Sequence, residues 1–342
     1  MKKWLLFLMI FLALPALPAR AAGQAEAVYD VWSGEFLYEK NADAPMKIAS
    51  TTKLMTALAA AEELDPDGIV EIAPEHTAIE GSKMYLRAGE KRTVRELLCG
   101  LLLASGNDAA LALADAAGGE AAFVRLMNEK AEELGCRGCL FENPAGLDGQ
   151  DHHATARDLA LIAEAAYEND LLRGILRTRY ASFDGHDLKN HNKLLWKSGA
   201  CVGGKTGYTK AAGRCLVSVF EKDGRPIIIV TLDDPDDWND HLSLYETYTE
   251  ELRMTAIRLT AALPVVNGKE NSAETEAAVS LPLRAGERKK ITARLYAEHF
   301  FYAMPPVGTR IGEFELRIGE KPVWKGEALR VSRLSYQSRI PG

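Results

Sequence analysis

The sequence predicts a mixed α/β (α+β) domain, in which helices flank a sheet, followed by a small β-rich C-terminal domain. Short β-rich runs occur near the amino terminus and again between residues 202 and 232, and helical patterns fill the chain between them. A third observation is the alternation of apolar and polar residues over 281–342. Since strands enclose the helices, we expect the first and last strands of the first domain to share one sheet. The length of 342 residues suits two domains.

Local patterns predict the first elements of that domain. Two β-rich runs around Ser33 and Gly34 predict a hairpin over 27–38. From Thr51 the apolar residues recur on one helical face, and the pattern ends near Leu64. The chain therefore enters its first helix directly after the hairpin and a short loop.

Capping and turn residues predict the elements that follow. Thr93-Val94-Arg95-Glu96 has the sequence of a capping box, which opens a helix that ends at Ser105. Further helices are predicted over 108–117, 120–134, 155–167 and 239–261. Short apolar runs separated by Gly and Pro predict strands over 202–207, 215–220 and 227–232.

The composition changes near Leu263 and Pro264. Residues 281–342 hold twelve basic and six acidic residues, within a chain whose net charge is −7. We therefore predict a first domain over 22–262 and a second, β-rich domain over 263–342.

The first 21 residues have the pattern of a secretory signal peptide. Lys2 and Lys3 precede an uncharged run over 4–19, which ends in small residues at the A-x-A spacing. An uncleaved anchor is the alternative, but Pro15 and Pro18 interrupt the run. Cleavage after residue 21 would change the net charge from −7 to −10. We expect an exported protein that acts in the cell wall or periplasm.

The composition excludes several classes of function. A net charge of −7 argues against nucleic acid as a partner. Cys136 and Cys139 form a C-x-x-C, which in an exported protein is either a local disulfide or two ordinary thiols. No group of His, Cys or acidic residues has the spacing of a metal site, so we expect neither metal nor cofactor.

Three short motifs carry the chemistry. Ser50-Thr51-Thr52-Lys53 is an S-x-x-K, in which the lysine amine one turn further on can take the proton of the serine hydroxyl. Ser105-Gly106-Asn107 places a hydroxyl and an amide in a loop between two helices. Lys205-Thr206-Gly207 adds a cation, a hydroxyl and a glycine that permits close approach to a strand. Each alone is explained by a cap or a turn, but together, in this order, they are typical of penicillin-binding proteins and β-lactamases.

The chain resembles a low-molecular-weight penicillin-binding protein of the peptidase S11 family, a serine-type D-alanyl-D-alanine carboxypeptidase similar to penicillin-binding protein 5. The resemblance extends beyond the motifs to the segments 48–58, 98–108, 143–147, 155–160, 190–194 and 205–216. It implies a penicillin-binding/β-lactamase-like transpeptidase fold, with an antiparallel sheet flanked by helices, and makes 22–262 the catalytic domain.

The resemblance also implies the catalytic roles. Ser50 would attack the carbonyl between the last two D-alanines of the peptidoglycan stem peptide and form an acyl-enzyme. Lys53 would act as the base, and Ser105 would relay protons. The backbone N–H groups of Ser50 and Tyr208 would form the oxyanion hole.

Substrate binding is implied for the remaining motif residues. Asn107 would bind the substrate amide, Lys205 and Thr206 would bind the terminal carboxylate, and Gly207 and Tyr208 would lie along the substrate. The expected partners are the stem peptide ending in D-Ala-D-Ala and, as inhibitors, β-lactam antibiotics.

The chain departs from the family pattern in two places. Residues 202–204 read Val-Gly-Gly where family members often have an acidic residue, and residues 331–342 are too short for an interfacial helix. A peripheral membrane contact therefore stays open. The alternative functions are a β-lactamase, a D,D-endopeptidase on the same scaffold, or a non-catalytic wall-binding protein.

Overall fold

The computed structural model describes residues 22–332. The predicted signal peptide over 1–21 and residues 333–342 of the carboxyl terminus lie outside the described residues. The strands are β1 (Ala25–Asp30), β2 (Glu35–Lys40), β3 (Ile69–Glu71), β4 (Lys91–Thr93), β5 (Tyr180–Phe183), β6 (His186–Lys189), β7 (Cys201–Thr209), β8 (Gly213–Lys222), β9 (Arg225–Leu232), β10 (Arg253–Pro264), β11 (Ser272–Leu283), β12 (Ile291–Ala297), β13 (Arg310–Ile318) and β14 (Lys321–Val331).

Most of the helices lie between β2 and β7. They are α1 (Lys53–Glu63), α2 (Pro74–Thr77), α3 (Val94–Leu103), α4 (Asn107–Ala116), α5 (Glu120–Glu133), α6 (Ala156–Glu168), α7 (Asp170–Arg177), α8 (Leu194–Lys197) and α9 (Asp237–Thr249). Short 3-10 turns cover Ala49–Thr52 and Glu287–Lys290. The capping box before α3 is formed, since the Thr93 hydroxyl accepts the Glu96 N–H at 3.1 Å and the Glu96 carboxylate accepts the Thr93 N–H at 2.9 Å.

The first sheet is antiparallel and has the strand order β2-β1-β9-β8-β7. Strand β1 pairs with β9, for example Val28 with Ile229, although some 200 residues of chain separate them. The prediction that the first and last strands share one sheet is confirmed. Strand β7, which carries the third motif, lies at the edge of this sheet.

Helices cover both faces of the first sheet. In β9 the alternate residues Ile228 and Val230 pack into the large core with α1, α3, α4 and α6, whereas Ile227 and Ile229 pack on the other face near α9. Side chains of a strand point alternately to its two faces, so a run that is apolar throughout serves two cores.

The second sheet is antiparallel, with the order β10-β11-β14-β13-β12. Its core takes alternate residues of β13, namely Phe314, Leu316 and Ile318. The prediction of a β-rich C-terminal region is therefore confirmed.

The predicted helix over 239–261 is wrong in its second half. Helix α9 ends at Thr249, and β10 begins at Arg253. From Thr255 to Ala261 every second side chain is at least partly buried, which is the period of a strand, and each residue of β10 pairs with one of β11. The predicted domain boundary at 262 consequently falls inside a strand of the second sheet.

A buried arginine joins the two sheets. Arg225 of β9 contacts Asp30 of β1 through Nε at 2.9 Å, and it contacts Glu287, in the 3-10 turn between β11 and β12, through Nη1 at 2.7 Å. Its side chain is fully buried, and it also donates to the Pro282 carbonyl at 3.0 Å. Burying a charge is tolerated only when it is paired and hydrogen-bonded, which both carboxylates achieve here.

All five cysteines are free thiols. Cys136 and Cys139 are not bonded to each other, and the Cys136 thiol is directed at the Asp158 carbonyl oxygen, 3.7 Å away. Of the two alternatives for the C-x-x-C, the structure has the pair of thiols.

Candidate active site

The first motif lies where the 3-10 turn Ala49–Thr52 runs into α1. Ser50 and Lys53 are three residues apart in this helical segment, so their side chains lie on one face, and Lys53 Nζ is 2.9 Å from Ser50 Oγ. Ala49, just before the serine, has a φ of +47°, which is rare for a residue with a Cβ. Such strain is held in place by the surrounding structure and is common at catalytic residues.

Lys53 is fully buried and its ammonium has three oxygen partners. These are Ser50 Oγ, Asn107 Oδ1 at 2.7 Å and the carbonyl oxygen of Ala145. Burial, together with the nearby Lys205 charge, holds the pKa of Lys53 well below its usual value, while Asp108 acts in the opposite direction. A lysine of lowered pKa is more readily neutral, and a neutral amine can accept the serine proton.

The second motif follows α3. Ser105 has a φ of +59° and is buried between α3 and α4, and Asn107 is the first residue of α4. The Asn107 amide is held from both sides, since Nδ2 donates to the Glu80 carbonyl at 2.6 Å and Oδ1 accepts from Lys53. In this arrangement Asn107 helps to hold the Lys53 amine in place.

The third motif lies on the edge strand β7. Lys205 Nζ donates to Ser105 Oγ at 3.0 Å and to the Thr206 carbonyl at 2.7 Å. The side chain is only 1% exposed, and burial lowers the pKa of Lys205 to about 7. Strand β7 therefore places the Lys205 amine, whose pKa is lowered, directly beside the hydroxyl of Ser105.

Gly207 permits β7 to pass close to the nucleophile. A Cβ at this position would lie 2.9 Å from the Ile48 carbonyl oxygen and 3.1 Å from the Ser50 nitrogen. The strand backbone is therefore in van der Waals contact with the turn that holds Ser50. Tyr208, the next residue, is largely exposed.

The structure brings the predicted residues together. Hydrogen bonds join Lys53 to Ser50 and Asn107, and Lys205 to Ser105, although the last two lie 100 residues apart in sequence. Thr206, Gly207 and Tyr208 follow Lys205 along the same strand.

Some contributors to the site were not predicted individually. The buried Asp108 accepts the backbone N–H groups of Met84 at 3.0 Å and Leu86 at 3.1 Å, which fixes the loop next to Asn107. Asn143 Oδ1 accepts three successive N–H groups of the turn that presents the Ala145 carbonyl to Lys53. The segment 143–147 was identified in the sequence because it resembles the family, but no function was predicted for its residues.

The fold and this arrangement define an active-serine enzyme of the acyl-transfer class: a serine beside a buried amine, with a second serine and a buried lysine facing it. A model of the peptidase S11 family, described as D-alanyl-D-alanine carboxypeptidase, matches residues 14–236. The chain belongs to the peptidase S11 family, and it is a serine-type D-alanyl-D-alanine carboxypeptidase.

Relatives and solved structures agree with this assignment. The chain is 33% identical over 279 residues to the D-alanyl-D-alanine carboxypeptidase DacF of Bacillus subtilis (strain 168), over 75% of this chain and 71% of the relative. A D-alanyl-D-alanine carboxypeptidase from Mycobacterium tuberculosis H37Rv has a TM-score of 0.64 at 34% identity, over 66% of this chain and 91% of that one. Penicillin binding protein 5 from Haemophilus influenzae has a TM-score of 0.66 at 24% identity over 92% of this chain and 98% of that one, a likeness of fold.

Proposed function

We propose that this enzyme removes the terminal D-alanine from peptidoglycan pentapeptide stems through an acyl-enzyme on Ser50. The observation that carries the proposal is the 2.9 Å contact between Ser50 Oγ and the fully buried amine of Lys53. The matching family model, described as D-alanyl-D-alanine carboxypeptidase, supports the substrate class.

The contact between Ser50 and Lys53 supports the following acylation step. Neutral Lys53 takes the proton of Ser50, and Oγ attacks the carbonyl carbon between the two D-alanines. The backbone N–H groups of Ser50 and Tyr208 stabilise the negative charge on the carbonyl oxygen. The carbon–nitrogen bond then breaks, the leaving amine takes a proton delivered through Ser105, and free D-alanine departs.

Substrate binding and deacylation use the remaining residues. Protonated Lys205 and the Thr206 hydroxyl bind the terminal carboxylate, and the Asn107 amide binds the substrate backbone. Water then attacks the ester, Lys53 again takes the proton, and Ser50 is regenerated. A β-lactam presents a similar carboxylate and a strained amide, so it acylates Ser50 by the same first step.

The test is D-alanine release from a soluble peptide ending in Lys-D-Ala-D-Ala. We expect release by the wild-type protein and a loss of at least about 10³-fold in Ser50→Ala. Ser243→Ala, a partly buried serine of α9 far along the chain from the motifs, is the matched control and is expected to keep full activity. Mass spectrometry after penicillin treatment checks that the adduct lies on Ser50.

The same assay separates the alternatives. Rapid β-lactam turnover without D-alanine release would favour a β-lactamase, and cleavage of cross-linked dimers would favour a D,D-endopeptidase. A folded protein with none of these activities would leave a wall-binding protein and overturn the proposal.

We also propose export by cleavage of residues 1–21 and a peripheral contact with the membrane. No helix within 22–332 is long and apolar enough to span a bilayer. Phe300 and the strongly exposed Tyr302 form an aromatic pair in the loop after β12, with ring centroids 5.3 Å apart, and this supports an interfacial contact. Amino-terminal sequencing of the exported protein tests the cleavage. Flotation with anionic vesicles, lost in a Phe300→Ser/Tyr302→Ser variant, tests the contact, and no flotation of the wild-type protein would refute it.

A further inference from the structure

The peptide group between Ala49 and Ser50 lies between two close neighbours. A Cβ added to Gly207 would be 3.1 Å from the Ser50 nitrogen, so this nitrogen faces strand β7. A Cβ added to Gly146 would be 2.1 Å from the Ala49 carbonyl oxygen, so this oxygen faces the turn over 143–147. The C=O and N–H groups of a trans peptide point in opposite directions. Whatever holds the Ala49 oxygen therefore also sets the direction of the Ser50 N–H.

The hydroxyl of Thr52 holds the Ala49 oxygen. The Thr52 side chain is fully buried, and its Oγ1 donates to that oxygen at 2.8 Å. A Cβ on Gly146 would also lie 2.9 Å from this Oγ1, so the turn encloses the bond between hydroxyl and carbonyl. The backbone of Ala49 is in the left-handed region, with a φ of +47°, and such a conformation persists only where the surroundings hold it.

The ring of His152 holds the Thr52 hydroxyl in turn. His152 Nε2 lies 2.8 Å from Thr52 Oγ1, and Nδ1 accepts the Glu142 N–H at 3.1 Å. Burial, together with the nearby His153, lowers the pKa of His152 to about 4, although Asp148 acts in the opposite direction. The ring is therefore neutral at neutral pH. Because Nδ1 is an acceptor, the single ring proton lies on Nε2, which donates to Thr52.

The hydrogen bonds from Glu142 to Ala49 form one directed chain. The Glu142 N–H donates to His152, His152 donates to Thr52, and the Thr52 hydroxyl donates to the Ala49 oxygen. The Phe141 ring contacts the His152 ring edge-on, with centroids 5.9 Å apart and an angle of 73°. Each donor in this buried chain has one acceptor, so the hydroxyl cannot turn from Ala49 without leaving its carbonyl unpaired.

We propose that His152, acting through Thr52, is a positioning residue for the oxyanion hole. It fixes the peptide group before Ser50, so that the Ser50 N–H points at the substrate oxygen on which negative charge develops. The inference rests on the proposed function, in which this N–H is one of the two oxyanion donors. A fixed donor stabilises the transition state more than the bound substrate, because the charge is largest in the transition state. Loss of the chain should therefore slow acylation.

The test measures kcat/KM for D-alanine release and the rate of acylation by penicillin. Thr52→Val keeps the size of the side chain but removes the hydroxyl. Removing an oxyanion donor typically costs 10²- to 10³-fold in kcat, and a donor that is present but misdirected should cost less. We expect Thr52→Val to lower both quantities by about 30-fold and Thr52→Ser, which keeps the hydroxyl, by less than about 3-fold.

Two amide variants separate the contacts of the His152 ring. The side-chain amide of His152→Gln extends to the position of Nε2 and can still donate to Thr52. The shorter amide of His152→Asn reaches only the position of Nδ1, so it keeps the acceptor for Glu142 and loses the contact with Thr52. We expect His152→Asn to lower kcat/KM by about 10-fold and His152→Gln by less than about 3-fold.

A transition-state analogue gives a readout that a purely structural role would not change. In a peptide boronic acid with boron at the position of the scissile carbonyl carbon, Ser50 Oγ adds to boron as its proton passes to Lys53, and a boronate oxygen occupies the oxyanion hole. We expect its affinity to fall by the same factor as kcat/KM in each variant. Thr275→Val, which removes a buried hydroxyl that donates to the Leu329 carbonyl at 2.8 Å, is the matched control. It should lose stability in urea and keep both quantities.

Unchanged kcat/KM and boronic acid affinity in Thr52→Val would overturn the inference, and so would equal losses in Thr52→Val and Thr52→Ser. If Thr52→Val does not fold, the comparison of His152→Gln with His152→Asn decides, and equal activity of these two would overturn it. A wild-type protein that releases no D-alanine would refute the proposed function, and the rates of acylation by penicillin would then decide the inference by themselves. A wild-type protein that also fails to react with penicillin would overturn both.

Discussion

Replacing Lys205 by methionine is expected to make the protein more stable and inactive. The Lys205 side chain is 1% exposed, and burial lowers its pKa to about 7 from 10.5. Between these two pH values the Lys205 amine is therefore protonated in the unfolded chain and mostly neutral in the folded chain. Methionine has a similar shape and carries no charge that must be desolvated.

The magnitude follows from the two pKa values. The pKa of Lys205 is about 7 in the folded chain and 10.5 in the unfolded chain. This difference means that burying the amine lowers the free energy of unfolding by roughly 5 kcal/mol well below pH 7 and by about 4 kcal/mol at pH 7. The variant loses the hydrogen bonds to Ser105 Oγ and the Thr206 carbonyl, each worth about 1 kcal/mol. Lys205→Met is therefore expected to raise the free energy of unfolding at pH 7 by about 2 kcal/mol. D-alanine release should fall strongly, because in the proposed mechanism Lys205 is the cation that binds the substrate carboxylate.

The stability difference between the wild-type protein and Lys205→Met should depend on pH. Between pH 7 and 10.5 the unfolded wild-type chain binds more protons at this lysine than the folded one, so the wild-type protein gains stability as the pH rises. The variant lacks this gain, and its advantage should vanish and then reverse as the pH approaches 10.5. Urea unfolding of both proteins across this range measures the difference, with the exposed Lys269→Met as control. A difference that does not change with pH, or a variant destabilised at pH 7, would refute the reasoning.

Two further predictions concern the edge strand and the junction of the sheets. Gly207→Ala places a Cβ 2.9 Å from the Ile48 carbonyl oxygen, so β7 must move from Ser50, and kcat/KM should fall by about 10- to 100-fold. Gly199→Ala, which meets no atom within 4 Å, should leave kcat/KM unchanged, and a similar loss in both variants would contradict this account. Arg225→Ala removes the arginine that pairs with the buried Asp30 and Glu287 carboxylates. It should lower the free energy of unfolding, measured in urea, by about 3–5 kcal/mol. The exposed Arg95→Ala should cost less than about 1 kcal/mol, and equal losses would show that burial of Arg225 does not matter.

Local signals were sufficient for most elements of the first domain. The capping box at Thr93 and the apolar runs of β7, β8 and β9 act over a few residues, and the structure has these elements close to their predicted bounds. The helix predicted over 239–261 is wrong at β10 because this strand depends on distant residues and not on local signals. Its strand state depends on pairing with β11, from Arg253 with Leu283 to Pro264 with Ser272, and such non-local pairing overrides the helical pattern of the preceding segment.

The sequence by itself determined which chemical groups the three motifs carry and in what order: a serine, a lysine within one helical turn of it, a second serine and a strand lysine. Only the tertiary structure decided how reactive these groups are. The pKa of Lys53 is lowered by burial and by Lys205, which approaches from a strand 152 positions later in the chain. Desolvation and Coulomb interactions depend on distance in space, and those distances exist only once the sheet and helices have packed.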